Sequence, residues 1–546
     1  MDTLKRSHGA NSSPLTPIVF LERAATVYSN SPATIYNHIT YTWSDTYRRC
    51  RRLASSISRL AIRKGDVVSV LAPNILATYE LHFAVTMTGA IINTINTRLD
   101  ARTVSIILRH SESKLVFVDY QLASLILEAV SLLSDEQTHP QLILITDDGH
   151  PSSVTNSFVN SYETMVEAGD PEFKWVRPET DWDPLSLNYT SGTTSSPKGV
   201  VHSHRGTYIG AVSSLLEWFV PKQPVYLWTL PMFHANGWGY IWGMVAIGAT
   251  NVCLRRFDAS IIYDAIHNYR VSHMCAAPVV LNMLSACKPL RHTVQLMTGG
   301  SPPPAAVLLR TEALGFEVTH GYGLTEANGI ALVCAWKKEW NRFPDTERAR
   351  LKARQGVKTL GMTMVDVVDP ESGVSVTRDG LTLGEIVLQG GCIMLGYLKD
   401  PELTAKCIRN GWYYTGDVGV MHPDGYLEIK DRSKDIIISG GENVSTVEVE
   451  SVLYSHPTVN EAAVVGRPDK FWGETPCAFV NMKNNGGKPA VATAEEIMKF
   501  CKSKLPGFMV PKSVIFKEDL PKTSTGKIQK NVLREIVKSM GVPSRL

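Results

Sequence analysis

Residues Tyr189 to Gly199 read YTSGTTSSPKG, eleven positions that hold three Ser, three Thr, two Gly and one Lys. Glycine lets backbone N–H groups crowd together, hydroxyls add donors and lysine adds a point charge, a mixture suited to a polyphosphate. The segment is not the common P-loop, G-x-x-x-x-G-K-[ST], whose final hydroxyl serves Mg²⁺. Counting from Gly192, the sixth position is Pro197, and Lys198 is followed by Gly199. Further along, PMFHANGW (231–238) sets a histidine among aromatic residues, and HGYGLTE (320–326) sets Thr325 and Glu326 beside Tyr322 and two glycines. Hard oxygens of that kind suit Mg²⁺. YYTGD (413–417) ends on Asp417, IKDRSKDIIISGGEN (429–443) runs from charge into a glycine pair, and PKTSTGKIQK (521–530) carries Lys527.

These groups need a frame. LSLNY precedes the 189–199 loop and VVHSH follows it, so strands are expected to press on both of its ends. DVVSVLAPN (66–74), KLVFVDY (114–120) and QLILITDD (141–148) are short apolar runs that end in polar or turn residues. Helical patterns such as ATYELHFAVTMTGAI lie between them, an alternation that predicts layered α/β structure. From about residue 355 the texture changes to short strands and Gly-rich turns, a smaller β-rich subdomain. A second break falls near Asp431. After it, STVEVESVLYSH, EAAVVGRP, CAFVNM and EEIMKFCKSKL supply helices and strands for a compact α+β unit. The expected architecture is α/β, with a large N-terminal domain over 1–430 and a small, mobile α+β C-terminal domain over 431–546.

At 546 residues the chain is too long for one hydrophobic core. A hydrophobic content of 44%, a charged content of 20% and a net charge of +3 describe a folded enzyme-sized chain and argue against a dedicated nucleic-acid partner. The nine cysteines are scattered with no CxxC pair, which fits a reducing compartment. There is no apolar run of about eighteen residues and no signal-peptide pattern, so neither a membrane span nor secretion is expected. Ser544-Arg545-Leu546 is a basic variant of the Ser-Lys-Leu address. It points to the peroxisomal import receptor as a partner and to the peroxisome as the location, with the cytoplasm as the alternative.

The motifs above, together with TGGSPP (298–303), follow one another as they do in the adenylate-forming superfamily, which the chain resembles from Tyr189 to Lys527. That superfamily includes acyl-CoA synthetases, luciferases and peptide-synthetase adenylation domains. Ser195 stands where most members have Gly. PLTPIVFLERA, VLAPN, INTRLD, PMFHANGW and CAWKKEWNRFP narrow the resemblance to plant-type peroxisomal acyl-activating enzymes. The resemblance implies ATP, Mg²⁺ and the co-substrate CoA, and a small carboxylic acid as the group activated. Thr190, Ser191, Gly192, Thr193, Thr194 and Lys198 would hold the β and γ phosphates. Gly299, Gly300, Ser301, Gly321, Tyr322, Gly323 and Thr325 would surround the adenine and the carboxylate, with Tyr322 stacked on the base. Glu326 would place Mg²⁺, Asp417 would accept from both ribose hydroxyls, and Arg432 would lie near the ribose.

In the same reading Asp431 is the hinge pivot, Gly440 and Gly441 line a path for pantetheine, and Lys527 contacts carboxylate and phosphate oxygens during catalysis. His234 closes one side of the acyl pocket as an aromatic gate. His234, Trp238, Gly321 and Ala331 shape that pocket for a compact acid, either aryl (benzoate or cinnamate type) or short- to medium-chain aliphatic. The implied activity is a carboxylate–CoA ligase working through an acyl-adenylate. An adenylation enzyme of luciferase-like or carrier-loading type is the alternative, whereas a non-catalytic nucleotide binder would be expected to lose Lys527 or Glu326.

Overall fold

Val67–Leu71, Leu115–Asp119 and Gln141–Ile145 are parallel neighbours in one sheet, and the helix Leu76–Met87 follows the first of them. Helices cover this sheet, so its strands read as nearly continuous apolar runs. In this computed structural model the described residues are 12–133, 139–147, 157–190, 197–285, 287–485, 488–489, 492–523 and 526–540. Among them the sheet has eight strands, and one edge carries the functional segments. Ile91–Thr94 is followed outward by Pro184–Thr190, Lys198–Ser203 and the short Gly396–Tyr397.

A nine-stranded sheet among the described residues holds Val225–Trp228, His273–Ala276, Val294–Thr298 and Phe316–Leu324 as parallel neighbours, then Gly329–Val333 antiparallel. One core joins the two sheets. Val68, Ile92 and Leu185 from the first and Tyr226, Trp228 and Met297 from the second share it with helix residues such as Trp43, Tyr79, Phe83 and Trp242. The β-rich texture after residue 355 becomes a five-stranded sheet that includes Met362–Val368, Gly384–Gly390, Trp412–Met421 and Leu427–Arg432.

Between Arg432 and Ile437 the chain passes into a separate five-stranded sheet. Its longest pair, Val459–Asp469 and Gly473–Met482, is packed by the helices Thr446–Tyr454, Ala494–Lys502 and Lys530–Ser539 around its own apolar clusters. Thr493 caps the middle helix through a reciprocal bond with Glu496. Among the described residues this small unit meets the large one where a Cβ on Gly526 would lie 2.3 Å from Val279 Cγ1, where Asn282 Nδ2 donates to Asn460 Oδ1 at 3.1 Å, and where Tyr454 packs against the apolar cluster around Leu281 and Leu308. No helix among the described residues is long and apolar enough to cross a membrane.

Candidate active site

Thr190 and Lys198 are cross-strand partners at the mouth of the Ser/Thr/Gly hairpin. Ser191, Gly192, Thr193, Thr194 and Ser195 lie outside the described residues. Lys198 Nζ rests 5.5 Å from the centroid of the Tyr397 ring. The Tyr397 hydroxyl donates to Glu326 Oε1 at 2.8 Å. Around that bond the backbone is laced together, with Leu398 N–H to the Gly199 carbonyl at 2.7 Å and Met394 N–H to the Glu326 carbonyl at 2.8 Å. Burial pushes the Glu326 carboxyl above the ordinary range, opposed by Tyr397 and by the charges of Arg432 and Lys198. Among the described residues no group of three His, Cys, Asp or Glu is arranged to hold a metal. One hard carboxylate fits a cation that takes its remaining oxygens from substrate phosphates and water.

The second cluster joins two sheets. Tyr322 Oη donates to Asp417 Oδ2 at 2.6 Å, and Arg432 Nε lies 3.3 Å from Asp417 Oδ1. Burial and the Asp417 charge push the Tyr322 phenol far up, so it stays a donor. Arg432 is the register partner of Asp417 on the next strand. Gly299, just past Val294–Thr298, lies close to Gly321: a Cβ there would come within 2.7 Å of the Gly321 carbonyl oxygen. Only glycine fits.

PMFHANGW folds as a left-handed turn, with φ of 39° at Ala235, 43° at Asn236, 55° at Gly237, 50° at Trp238 and 84° at Gly239. Left-handed backbone costs a non-glycine residue about 1 kcal/mol, so the turn needs outside support. Asn236 Oδ1 accepts from Asn188 Nδ2 at 2.9 Å, Asn74 Oδ1 accepts from Met232 N–H at 2.8 Å, and Thr94 Oγ1 donates to the Phe233 carbonyl at 3.2 Å. The turn lays the Trp238 indole over the glycine floor, 3.2 Å from where a Gly299 Cβ would stand. Trp238, Met297 and Ile330 share one core, and Ile330 and Met297 are the atoms that a Gly321 side chain would meet. Ala331 is not brought there. It falls instead in the cluster of Val200, Tyr322 and Ala327, at a register irregularity where Tyr322 pairs with Leu332 and Gly323 with Ile330.

Lys527 comes from the small unit on a hairpin in which Thr523 N–H donates to the Lys527 carbonyl at 2.6 Å and Lys527 N–H to Thr523 Oγ1 at 3.1 Å. Burial, then the Arg432 charge, push its ammonium down to about 8, opposed by Asp417 and Asp435. The His234 imidazole is pushed down to about 4 by burial and then by Lys527, so it is neutral at physiological pH. Asp431 is turned toward the small unit, where Oδ2 accepts from Thr446 N–H at 2.7 Å and from Thr446 Oγ1 at 2.5 Å. Gly440 and Gly441 form the two-residue turn between Ile437–Ser439 and Glu442–Val444, with φ of 61° and 88°. A Cβ on Gly440 would strike Trp472, whereas Gly441 faces open space.

The AMP-binding enzyme family matches residues 21–398, and the AMP-binding enzyme C-terminal domain matches residues 448–527. The chain belongs to the AMP-binding enzyme family. It is 64% identical over 539 residues to the 2-methylpropanoate–CoA ligase CCL4 of Humulus lupulus, with 97% of each chain covered. It is 60% identical over 541 residues to the probable acyl-activating enzyme 5, peroxisomal, of Arabidopsis thaliana, again with 97% of each covered. The crystal structure of the anthranilate CoA ligase AuaEII with anthranoyl-AMP shares the fold, with a TM-score of 0.84 over 98% of this chain and 99% of that one at 24% identity. The family and the fold expected from the order of the motifs are those found.

In this AMP-binding enzyme, several supports of the site are residues that the motifs alone do not single out. Asn74 and Asn188 sit at or near the ends of apolar strands, where a buried amide is available to tie down another segment. Tyr397 follows a glycine on an edge strand, and its partner Glu326 is 71 positions away. The only signal in the sequence is an amide or phenol where a further apolar residue would pack.

Proposed function

We propose that this AMP-binding enzyme is a carboxylate–CoA ligase. A carboxylate resists attack by a thiol because the anion is a poor electrophile and has no good leaving group. In the first step a carboxylate oxygen attacks the α-phosphorus of ATP and pyrophosphate leaves. In the second the CoA thiolate attacks the acyl carbon and AMP leaves. Lys527 carries the reading: its ammonium, on the small unit, feels Arg432 and Asp417 and is felt by His234, all on the large unit. A cation where the two units meet would neutralise charge on the carboxylate and α-phosphate oxygens.

Thr190, Lys198 and the segment between them take the β and γ phosphates, and Asp417 takes the ribose hydroxyls beside Arg432. Neutral His234 and Trp238 border the acyl group. Glu326, with the phosphates, holds Mg²⁺, which supplies charge neutralisation on the phosphate oxygens when bound. Rotation near Asp431 then withdraws Lys527 and brings Gly440 and Gly441 toward the CoA arm.

The acid is compact. Trp238 packs on Gly299 beside Met297 and Ile330, bulky side chains that favour a small acyl group, and the ligase from Humulus lupulus named above is a 2-methylpropanoate–CoA ligase. A short, branched aliphatic acid is therefore preferred over an aryl one. Peroxisomal location, through Ser544-Arg545-Leu546, rests on that tripeptide and on the name of the Arabidopsis thaliana relative. Replacing the tripeptide in a tagged protein should release it to the cytosol.

The deciding experiment is CoA-dependent AMP release from the purified protein with ATP and Mg²⁺, across 2-methylpropanoate, butyrate, hexanoate, benzoate, cinnamate and 4-coumarate. Turnover of the short acids with CoA consumed is the expected result. Pyrophosphate release without CoA consumption would move the reading to the luciferase-like or carrier-loading alternative.

A further inference from the structure

Glu326 sits in a short turn, Thr325–Ala327, where a glutamate side chain has several rotamers open to it. One neighbour removes that freedom. Tyr397 is 8% exposed, and its hydroxyl bonds Glu326 Oε1 at 2.8 Å. Tyr397 is itself fixed from both sides: its strand pairs with Lys198–Ser203, Gly396 opposite Val201 and Tyr397 opposite Val200, and its N–H donates to Thr404 Oγ1 at 2.9 Å. The Lys198 ammonium lies over the ring of the same side chain. One tyrosine thus contacts both groups that the ligase reading directs at the triphosphate, the lysine by its ring and the carboxylate by its hydroxyl.

We propose that Tyr397 is a positioning residue for nucleotide binding: its hydroxyl fixes the Glu326 carboxylate in the orientation that receives the cation accompanying ATP. The inference rests on the ligase reading for the role of Glu326. It does not involve Tyr397 in proton transfer, because burial and the adjacent Glu326 charge push its phenol far above the range in which it would ionise. Tyr397→Phe separates the two contacts. The ring that Lys198 rests on and that packs against the apolar cluster around Met394 and Leu427 remains, and only the bond to Glu326 is lost.

The test measures equilibrium binding of α,β-methylene-ATP to the full chain, once with Mg²⁺ and once with EDTA, for the wild type, Tyr397→Phe, Glu326→Gln and the double variant. A hydrogen bond to a charged group and an outer partner of a metal ligand are each worth about tenfold or more, so Tyr397→Phe should lose roughly tenfold of the Mg²⁺-dependent gain in affinity. Its affinity in EDTA should stay within about twofold of the wild type. In turnover the apparent KM for Mg²⁺ should rise while kcat recovers at saturating Mg²⁺. The double variant should bind no more weakly than Glu326→Gln, since Tyr397 acts through that carboxylate.

Equal weakening with Mg²⁺ and with EDTA, or additive losses in the double variant, would overturn the proposal and leave Tyr397 a packing residue. Should Tyr397→Phe fold poorly, Glu326→Asp in the wild-type background shortens the carboxylate by one methylene, which breaks its reach to Tyr397. It should show the same selective loss of Mg²⁺-dependent binding, and unchanged Mg²⁺ dependence there would also overturn the idea. If the wild type turns over none of the acids, the ligase reading fails, while the binding arm still judges Tyr397.

Discussion

Two neighbouring residues divide their loyalties between the two halves of the site. Arg432 reaches into the large unit and lies against Asp417, whereas Asp431 turns to the small unit and holds Thr446 at the head of its first helix. The regions on either side differ in the same way. Tyr322, Asp417 and Arg432 are tied across two sheets by short polar contacts, so the end proposed for the nucleotide is held together by the protein's own groups. Lys527 is hydrogen-bonded through its backbone within its own hairpin and reaches that end through the docking of one unit on another, by contacts that include Gly526 on Val279, Asn282 on Asn460 and Tyr454 on an apolar cluster of the large unit. A prepaid polar site binds; a docked lysine can be delivered and withdrawn. The chemistry in two steps asks for that division.

Removing the delivered group should have the largest effect. Lys527→Ala should slow adenylation, read as pyrophosphate exchange, by about 10²- to 10³-fold, the cost of losing one charge-stabilising donor. Thioester formation from a supplied acyl-adenylate should change by only a few fold, and equal losses in both assays would erase the distinction between the two regions. Asp417→Ala attacks the fixed side instead. It strips Arg432 and the buried Tyr322 hydroxyl of their shared partner, and charged hydrogen bonds of this kind are worth about 10- to 100-fold. The loss should fall on KM for ATP, and a loss confined to kcat would argue that Asp417 serves the moving step.

The same contrast governs what the sequence discloses. The strands at 67–71, 115–119 and 141–145 and the helix at 76–87 follow from local apolar patterning, and so they were legible. The change of texture after residue 355 has the same origin, and the break expected near Asp431 lies close to the passage to a new sheet, although Asp431 and Arg432 themselves still belong to the strand Leu427–Arg432. Asp417, Glu326 and Lys527 stand out only through motif resemblance, because nothing in a Gly-Ser-Thr loop marks one lysine. What joins them is not local at all: the Tyr322–Asp417 bond spans 95 positions, Tyr397–Glu326 spans 71, and Asn188–Asn236 spans 48. Ala331 shows the limit most plainly. Its position in the motif order put it at the acyl pocket, but a register irregularity leaves Ala331 between the partners of Tyr322 and Gly323, in the cluster with Val200, while Ile330 is the residue that shares a core with Trp238.

That separation of Ile330 from Ala331 yields a paired prediction of intermediate size. Trp238→Ala should deepen the pocket over Gly299 and shift the ratio of kcat/KM for hexanoate over 2-methylpropanoate upward by about tenfold, the order of discrimination that a few methylenes supply. Ile330→Ala should move the ratio the same way by less. Ala331→Leu should instead overpack the cluster around Tyr322 and Val200, costing about 1–3 kcal/mol of stability and leaving the ratio alone. A selectivity shift from Ala331→Leu that matched the one from Trp238→Ala would place the acyl group on the other face of the strand.

The smallest effect is a pH dependence that belongs to the docked lysine alone. Burial and Arg432 hold Lys527 at about 8, and in the proposed reaction its charged form is the one that stabilises the transferring phosphate. Because kcat/KM reports the free enzyme, adenylation kcat/KM should fall roughly twofold between pH 7 and pH 8, about fivefold more by pH 9, and approach tenfold per pH unit beyond that. In kcat the limb should move upward, because bound triphosphate adds negative charge beside the ammonium and favours its protonated form. His234, held near 4 and neutral throughout this range, contributes no limb of its own. Lys527→Arg keeps a cation that does not titrate below pH 12; whatever activity it retains should be flat across pH 7 to 9. A falling limb that persisted in Lys527→Arg would assign the titration to a group in the fixed half of the site.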